Sequence, residues 1–307
     1  MALPFEKLHW YSKLEVADYL VPTSLPQALD MLAAHGGRAR VIAGGTDVIP
    51  ELRSRKLAVS ALVDVSRLPD MNAIESDGAD ILIGGGVTHA QAAASPLIQD
   101  KAGLLATGCG WVGSPQIRNV ATLAGNLVSG QPAADASVPL LALDAEVTIA
   151  SAEGLRVVPL SEFFQGVGKT VLDSSREILT SIRFKALGAK QGSAYLRLGK
   201  RKAMTLPMLV CAVVATAGQD GRSIQSAAIA LGPVAPVPFR ERSAEQFVAG
   251  KPATPETLAQ AAETATAQCT PRDSLLRGSC DYRTEMVKVF VRRGLAAALT
   301  QAGCTIG

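Results

Sequence analysis

The sequence has little of what metal centres and acid–base catalysis require. Its three histidines are dispersed, and its five cysteines form no Cys-x-x-Cys pair. The cysteines are Cys109, Cys211, Cys269, Cys280 and Cys304. This spacing argues against a disulfide framework, a zinc site or an iron–sulfur cluster bound within the chain. We therefore predict no metal site here, and nothing points positively to a His-based nucleophile.

Charge, aromatic content and apolar runs argue against two further classes. The formal net charge is only +3, and the sparse aromatic residues are not interleaved with a Lys/Arg cluster, so nucleic-acid binding is not indicated. The longest apolar run, residues 206–217, is too short to span a bilayer, and the first residues lack a signal-peptide pattern. With unpaired cysteines, these features predict a reduced, cytoplasmic setting.

The length of 307 residues predicts two domains. In the first, strands at 61–65 and 81–83 alternate with helices, one of which begins at Ser24 and stops at Gly36-Gly37. A strand at 178–184 ends this domain, and residues 185–192 form the linker. Beyond it, strands at 206–217 and 224–231 precede helices around 243–249, 255–267 and 282–299, which predicts an α+β arrangement.

Residues 108–128 have neither helical nor strand periodicity. Because apolar side chains are embedded in this stretch, we predict an ordered, irregular, functional segment rather than disorder. A hairpin is expected further on, around Glu153-Gly154.

The most informative stretch is an apolar run that stops at paired glycines: Val41, Ile42, Ala43, Gly44, Gly45, Thr46 and Asp47. It predicts a buried strand that breaks into a tight turn with exposed backbone N–H groups, which can hold a phosphate. The alternative interpretation is an ordinary strand-to-helix connection in which Asp47 caps the next helix.

A second glycine turn repeats this pattern and comprises Thr122, Leu123, Ala124, Gly125 and Asn126. Its hydroxyl, amide and N–H groups suit phosphate or ribose, and Asp135 can accept from a ribose hydroxyl or a ring N–H. The alternative interpretation is a pair of structural turns in a packed α/β core.

Two other glycine motifs are incomplete. Residues 166–170 (Gly-Val-Gly-Lys-Thr) end like a P-loop, but Phe163 stands where that motif requires glycine. Gly84-x-Gly86 begins like a dinucleotide fingerprint, but His89 replaces its third glycine. We predict neither an ATPase nor a Rossmann site from them.

Taken in order, these motifs resemble the FAD-binding medium subunit of the molybdenum hydroxylases, the family of xanthine dehydrogenase, carbon monoxide dehydrogenase and 4-hydroxybenzoyl-CoA reductase. The resemblance covers nearly the whole chain. It rests on residues 43–47, 116–119, 122–126, 132–135, 140–145, 177–180, 232–240, 244–245, 282–283 and 291–295.

The resemblance implies an α+β protein. A p-cresol methylhydroxylase-type FAD-binding domain would span residues 1–186, with α/β subdomains of about 1–60 and 61–186. A smaller domain of antiparallel sheet plus helices would span residues 192–307. No catalytic side chain is implied.

The resemblance also assigns cofactor contacts. Residues 42–47 and 122–126 would hold the FAD pyrophosphate, Asp135 would contact the adenosine side, and Leu179 would pack near the adenine. Tyr195 would lie close to the flavin ring. The full predicted set is Ile42, Ala43, Gly44, Gly45, Thr46, Asp47, Ile117, Thr122, Leu123, Ala124, Gly125, Asn126, Asp135, Leu179 and Tyr195.

Two positions depart from the family pattern. Leu196, followed by Arg197, stands where many members have lysine, and Thr205 stands where many have aspartate. Contacts around the isoalloxazine ring are therefore left open, whereas the two pyrophosphate loops are intact.

The implied activity is electron transfer within a dimer of heterotrimers. A large subunit with a molybdenum cofactor would hydroxylate the substrate, and a small subunit would carry two [2Fe–2S] clusters. This chain would pass electrons through FAD to an external acceptor. Two alternatives stay open: a free-standing flavin oxidase of the same broad fold, and a structural subunit that has lost FAD.

Overall fold

A computed structural model describes residues 16–274 and 277–307 of the chain. The strands are β1 (Asp18–Leu20), β2 (Ala39–Ile42), β3 (Ala61–Asp64), β4 (Ile74–Asp77), β5 (Asp80–Gly84), β6 (Glu146–Ser151), β7 (Gly154–Pro159), β8 (Phe164–Gly166), β9 (Lys169–Thr170), β10 (Ile178–Lys185), β11 (Gln191–Leu198), β12 (Leu209–Ala217), β13 (Ile224–Gly232) and β14 (Phe239–Arg240). The helices are α1 (Leu25–Ala34), α2 (Val48–Arg53), α3 (His89–Ala94), α4 (Pro96–Lys101), α5 (Gly103–Trp111), α6 (Pro115–Arg118), α7 (Leu123–Val128), α8 (Ser137–Ala142), α9 (Leu160–Phe163), α10 (Arg242–Val248), α11 (Pro255–Thr264) and α12 (Cys280–Gln301).

The first sheet is parallel, with strand order β1-β3-β2. Helix α1 packs against it and begins as predicted: the Ser24 hydroxyl accepts the N–H of Gln27 at 3.3 Å. The Gln27 side chain accepts from the N–H of Thr23 instead of Ser24, so the capping box is displaced by one residue. The central strand β3 lies just past residue 60, and the limits of the two subdomains stay a prediction.

The second sheet is antiparallel, with strand order β4-β5-β10-β6-β7. Strands β6 and β7 form the hairpin expected around Glu153-Gly154, and β10 confirms the strand predicted at 178–184. Helices α3, α4, α5, α7 and α8 share a core with this sheet, which contains fully buried side chains such as Ile83, Leu105 and Ile149.

The prediction of an irregular segment over residues 108–128 is wrong. The segment contains the end of α5 and two short helices, α6 and α7. Each short helix begins at a hydroxyl cap: Ser114 accepts the N–H of Ile117 at 3.4 Å, and Thr122 accepts the N–H of Gly125 at 3.0 Å. Helices this short show no full period of apolar residues, so their caps and tertiary contacts define them.

The third sheet is antiparallel, with strand order β11-β12-β13-β14, and it forms the second domain with helices α10 to α12. The predicted strand–turn–strand pattern and the three helices are confirmed. Alternate residues of β12 enter different cores: Val210 and Ala212 pack with the first domain, whereas Cys211 and Val213 pack under α12. Burial on both faces explains the uninterrupted apolar run of this strand.

The two domains are also joined by charge. The Arg240 guanidinium of β14 donates to the carbonyl oxygen of Leu141 and to the carboxylate of Asp144, both in the first domain, and to Glu245 in its own domain. Among the described residues, no helix has the length and apolar character needed to cross a bilayer.

Two helices of the first domain start side by side. An isolated antiparallel bridge pairs Thr88 with Thr122, which cap α3 and α7 respectively. His89, the first residue of α3, donates its backbone N–H to the carbonyl of Ala121 at 3.0 Å and is fully buried. Burial, with a smaller contribution from the Arg118 charge, lowers the pKa of His89 from 6.5 to about 4.

We expect the His89 titration to appear in the pH dependence of stability. The pKa of His89 is lower in the folded chain than in the unfolded one, so protons favour unfolding between pH 6.5 and 4. This titration leaves the free energy of unfolding unchanged above pH 6.5 and lowers it by roughly 3 kcal/mol as the pH falls to 4. Urea unfolding of wild type and His89→Gln across this range measures the difference. Parallel curves for the two proteins would contradict the shift.

Helix α12 lies so close to β11 that only glycine fits at residue 192. A Cβ there would lie 2.0 Å from the carbonyl oxygen of Ala298. We expect Gly192→Ala to reduce the free energy of unfolding by about 1–3 kcal/mol, because α12 must shift away from the sheet. Gly188→Ala is the matched control, since its nearest neighbour would be the Gln191 amide oxygen at 3.6 Å. Equal urea midpoints for both variants would refute the close packing.

Candidate functional site

A cavity of about 350 Å³ lies between the first and second sheets. Eleven of the fifteen residues predicted to bind the cofactor line it: Ala43, Gly44, Gly45, Thr46, Asp47, Ile117, Thr122, Ala124, Gly125, Asn126 and Leu179. The cavity continues into a groove of about 930 Å³ between the two domains, because Asp47, Asn126, Ser129 and Gln131 line both.

The first loop follows strand β2 and depends on two glycines. Gly45 has a φ of +68°, and a Cβ there would lie 3.2 Å from side-chain carbons of both Ile42 and Ile49. A Cβ at Gly44 would lie 1.9 Å from the carbonyl oxygen of Val120. The backbone of this loop therefore lies directly against the segment that leads into the second loop.

The backbone N–H groups of the first loop are unused within the described part of the chain. The amides of Gly44, Gly45 and Thr46 donate to no protein acceptor there. Asp47 stands at the N-cap position of α2, but its side chain makes no capping bond. Desolvation of its carboxyl group and the nearby Glu51 carboxylate raise the pKa of Asp47, although the residue as a whole is exposed.

Two polar residues of the second loop, Thr122 and Asn126, line the same cavity. Thr122 uses its hydroxyl to cap α7, so that side chain is committed to the helix start. The Asn126 side-chain oxygen is buried and has no hydrogen-bond partner among the described residues. An unpaired buried acceptor costs roughly 1–3 kcal/mol, which a ligand donor in the cavity would recover.

Four predicted residues do not line the cavity. Ile42 and Leu123 are buried behind it in the apolar cores. Asp135 and Tyr195 meet in a buried cluster, where the Tyr195 hydroxyl donates to the Asp135 carboxylate at 2.8 Å. Arg197 Nε donates to the same carboxylate oxygen at 2.7 Å.

This cluster joins the two domains, because Asp135 belongs to the first and Tyr195 and Arg197 lie on β11 of the second. Burial raises the pKa of Asp135, and the Arg197 guanidinium and the Tyr195 hydroxyl oppose that rise. The Arg197 guanidinium also lies 5.1 Å from the ring centre of Trp111, within range of a cation–π interaction.

Both family departures now have a structural context. Leu196 belongs to the core of the second domain, where it lies next to Gly294 of α12. Arg197 donates to the backbone carbonyl oxygen of Thr205. It therefore holds the loop that contains Thr205 through the main chain, without using the Thr205 side chain.

Sequence reasoning missed several cavity residues. Gly85, His89 and Gly168 line the cavity, although the motifs that contain them are incomplete P-loop or Rossmann patterns. The available signal was position: Gly85 directly follows the strand β5, and the first glycine turn likewise comes after the strand β2. Gly168 is brought in by the short β8–β9 hairpin, which had no such signal.

Two family models match the chain. The model described as FAD binding domain in molybdopterin dehydrogenase matches residues 12–184, and that described as CO dehydrogenase flavoprotein C-terminal domain matches residues 194–298. The chain is 32% identical to the carbon monoxide dehydrogenase medium chain of Hydrogenophaga pseudoflava, over 92% of this chain and 96% of that one.

Further relatives agree. The chain is 31% identical to the putative xanthine dehydrogenase FAD-binding subunit of Escherichia coli strain K12, over 94% of this chain and 98% of that one. A solved structure of carbon monoxide dehydrogenase from Hydrogenophaga pseudoflava, in a form that lacks the Mo-pyranopterin moiety of the molybdenum cofactor, superposes with a TM-score of 0.89 at 31% identity. The match covers 96% of this chain and all of that one.

These matches confirm the family resemblance and the fold class that the motifs predicted, and they extend through both domains. The chain therefore belongs to the family of FAD-binding medium subunits of the molybdopterin dehydrogenases, and is a dehydrogenase subunit.

Proposed function

We propose that this chain is the FAD-carrying electron-transfer subunit of a heterotrimeric molybdenum hydroxylase. It takes electrons from the [2Fe–2S] clusters of a small subunit and passes them through FAD to an external acceptor. A large subunit with the molybdenum cofactor hydroxylates the substrate. The observation that carries this proposal is the meeting of the two glycine loops in one cavity, within a domain of the FAD-binding family.

The residues present fit a flavin nucleotide. Gly44 and Gly45 let the loop pack directly against Val120, Ile42 and Ile49, and its amides have no protein acceptor within the described ranges. Successive free N–H groups in a turn form an anion-binding nest, which suits the pyrophosphate. When bound, FAD supplies reversible redox chemistry that amino-acid side chains lack. The protein binds and orients it.

The remaining predicted residues take supporting positions. Thr122 and residues 124–126 form the opposite wall, and Ile117 and Leu179 supply apolar surface for the rings. Ile42 and Leu123 hold the two loops from behind. Asp135 and Tyr195 act through the interdomain cluster, with contact to the adenosine side and the flavin ring respectively as proposed roles.

The proposed assembly follows the relatives. Because those relatives are medium chains or FAD-binding subunits, we infer that this chain joins a large and a small subunit in a dimer of heterotrimers. The FAD-binding domain spans residues 1–186, with subdomains of about 1–60 and 61–186, and the second domain spans residues 192–307. We expect this assembly in the cytoplasm, where the five free cysteines stay reduced.

Reconstitution tests the proposal directly. We expect the purified chain, stripped of flavin and incubated with FAD, to retain about one flavin per chain after gel filtration, measured by visible absorbance. Absence of bound flavin would identify a structural subunit instead. Reduction of the bound flavin by a small organic substrate without partner subunits would identify a free-standing oxidase.

Co-purification tests the assembly. We expect native purification of this chain to recover two further proteins, one with the absorbance of [2Fe–2S] clusters and a larger one with molybdenum. Recovery of the flavin-loaded chain alone, under conditions that preserve complexes, would contradict the heterotrimer.

We expect Gly45→Asp to weaken FAD binding at least tenfold. The substitution brings a negative charge and a side chain against the proposed pyrophosphate site, and its Cβ would crowd Ile42 and Ile49. Gly36→Asp is the matched control: Gly36 also has a positive φ, of +56°, but it is exposed and has no neighbour within 4 Å of the added Cβ. Fluorescence titration with FAD measures both. Equal affinity for the two variants would show that the loop is misassigned.

A further inference from the structure

His89 is the most unusual side chain in the cavity wall. It is fully buried, and neither of its ring nitrogens has a hydrogen-bond partner among the described residues. A buried imidazole normally satisfies at least its N–H, since an unmade hydrogen bond is costly. Because His89 lines the cavity, the missing partner is expected to come from what the cavity holds.

The position of His89 is fixed by the fold. Its backbone N–H donates to the carbonyl of Ala121, and Thr88 before it is held by a reciprocal capping box with Gln91. The Thr88–Thr122 bridge places the first turn of α3 beside that of α7, which carries Asn126. His89 and Asn126 thus line one cavity from two adjacent helices.

The unpaired atoms indicate which chemistry they would bind. A pKa of about 4 keeps the imidazole neutral, with one N–H donor and one acceptor nitrogen. The unpaired Asn126 oxygen is a second acceptor. Phosphate oxygens only accept hydrogen bonds at neutral pH, so they would leave both of these acceptors unpaired. Hydroxyl groups both donate and accept, so a sugar alcohol satisfies the whole set.

We propose that His89 and Asn126 bind the polyol part of the flavin nucleotide, through hydroxyls of its ribityl chain or its ribose, rather than the pyrophosphate. This inference rests on the proposed function, because it takes FAD as the ligand of the cavity. It adds His89 to the binding residues and gives Asn126 a role distinct from that of the first loop.

Affinity measurements on the full-length chain test the role of His89. We expect His89→Leu to weaken FAD binding roughly fivefold to tenfold, the loss of one or two hydrogen bonds, and His89→Gln, which keeps a donor and an acceptor, to stay within about threefold of wild type. His35→Leu is the control, since the His35 Nδ1 already lies 2.8 Å from the Met31 carbonyl oxygen. Wild-type affinity in His89→Leu would overturn the proposal.

A measurement on the wild-type chain avoids dependence on how the variants fold. The chain has only three histidines, so ¹⁵N-labelled histidine gives few imidazole signals, and His89→Gln assigns one by its loss. We expect FAD to shift the His89 nitrogens and inorganic pyrophosphate to leave them in place. An unmoved His89 signal with FAD bound would overturn the contact, and an equal response to pyrophosphate would overturn the assignment to the polyol.

Two fragments then identify the hydroxyl. FMN carries the ribityl chain and ADP carries the ribose, so the fragment that reproduces the FAD shift names the contacted part. Failure of wild type to bind FAD at all would instead refute the proposed function, which separates the two hypotheses.

Discussion

The candidate site depends on one close backbone contact, at a position where only glycine fits. At Gly44 the first loop lies so close to the Val120 carbonyl that an added Cβ would be 1.9 Å from the oxygen. This contact brings the end of a parallel three-stranded sheet against the helix starts that cover a separate antiparallel sheet. The first loop follows a strand of one sheet, and the second begins a helix that packs on the other sheet. The cavity therefore exists only where these two units meet, and neither forms it alone.

The second domain is fixed to this arrangement by shared burial and by charge. Strand β12 contributes to both cores, so its sheet is covered on one face by the first domain and on the other by α12. The buried Arg197–Asp135 pair lies at the same junction. Removing one partner would leave an unpaired charge in the interior and lower the free energy of unfolding by about 3–5 kcal/mol. The groove that continues the cavity is therefore a fixed feature between two firmly joined domains.

Short sequence patterns correctly predicted the features that depend on neighbouring residues. The Ser24 cap, the hairpin at Glu153-Gly154 and the apolar strand β12 each carry their signal within a few residues. The helical structure within residues 108–128 differs from the predicted irregular segment, because short helices depend on caps and packing more than on periodicity. The Asp135–Tyr195 contact joins residues 60 positions apart. The lack of a hydrogen-bond partner for the His89 ring, among the described residues, depends on every element around it. Nothing adjacent in sequence encodes either.

Two glycine-containing turns near the cavity, at residues 41–47 and 166–170, differ in whether their backbone N–H groups are already hydrogen-bonded. Gly168, from the stretch that resembles a P-loop, lines the cavity, but its N–H donates to the carbonyl of Gly130 at 3.0 Å. The amides of Gly44 and Gly45 donate to no protein acceptor within the described ranges. An anion nest requires N–H groups that the fold has not already used. The two turns are similar in composition but differ in their hydrogen bonds. The Gly168 amide is used within the fold, whereas the amides of Gly44 and Gly45 are available for a phosphate.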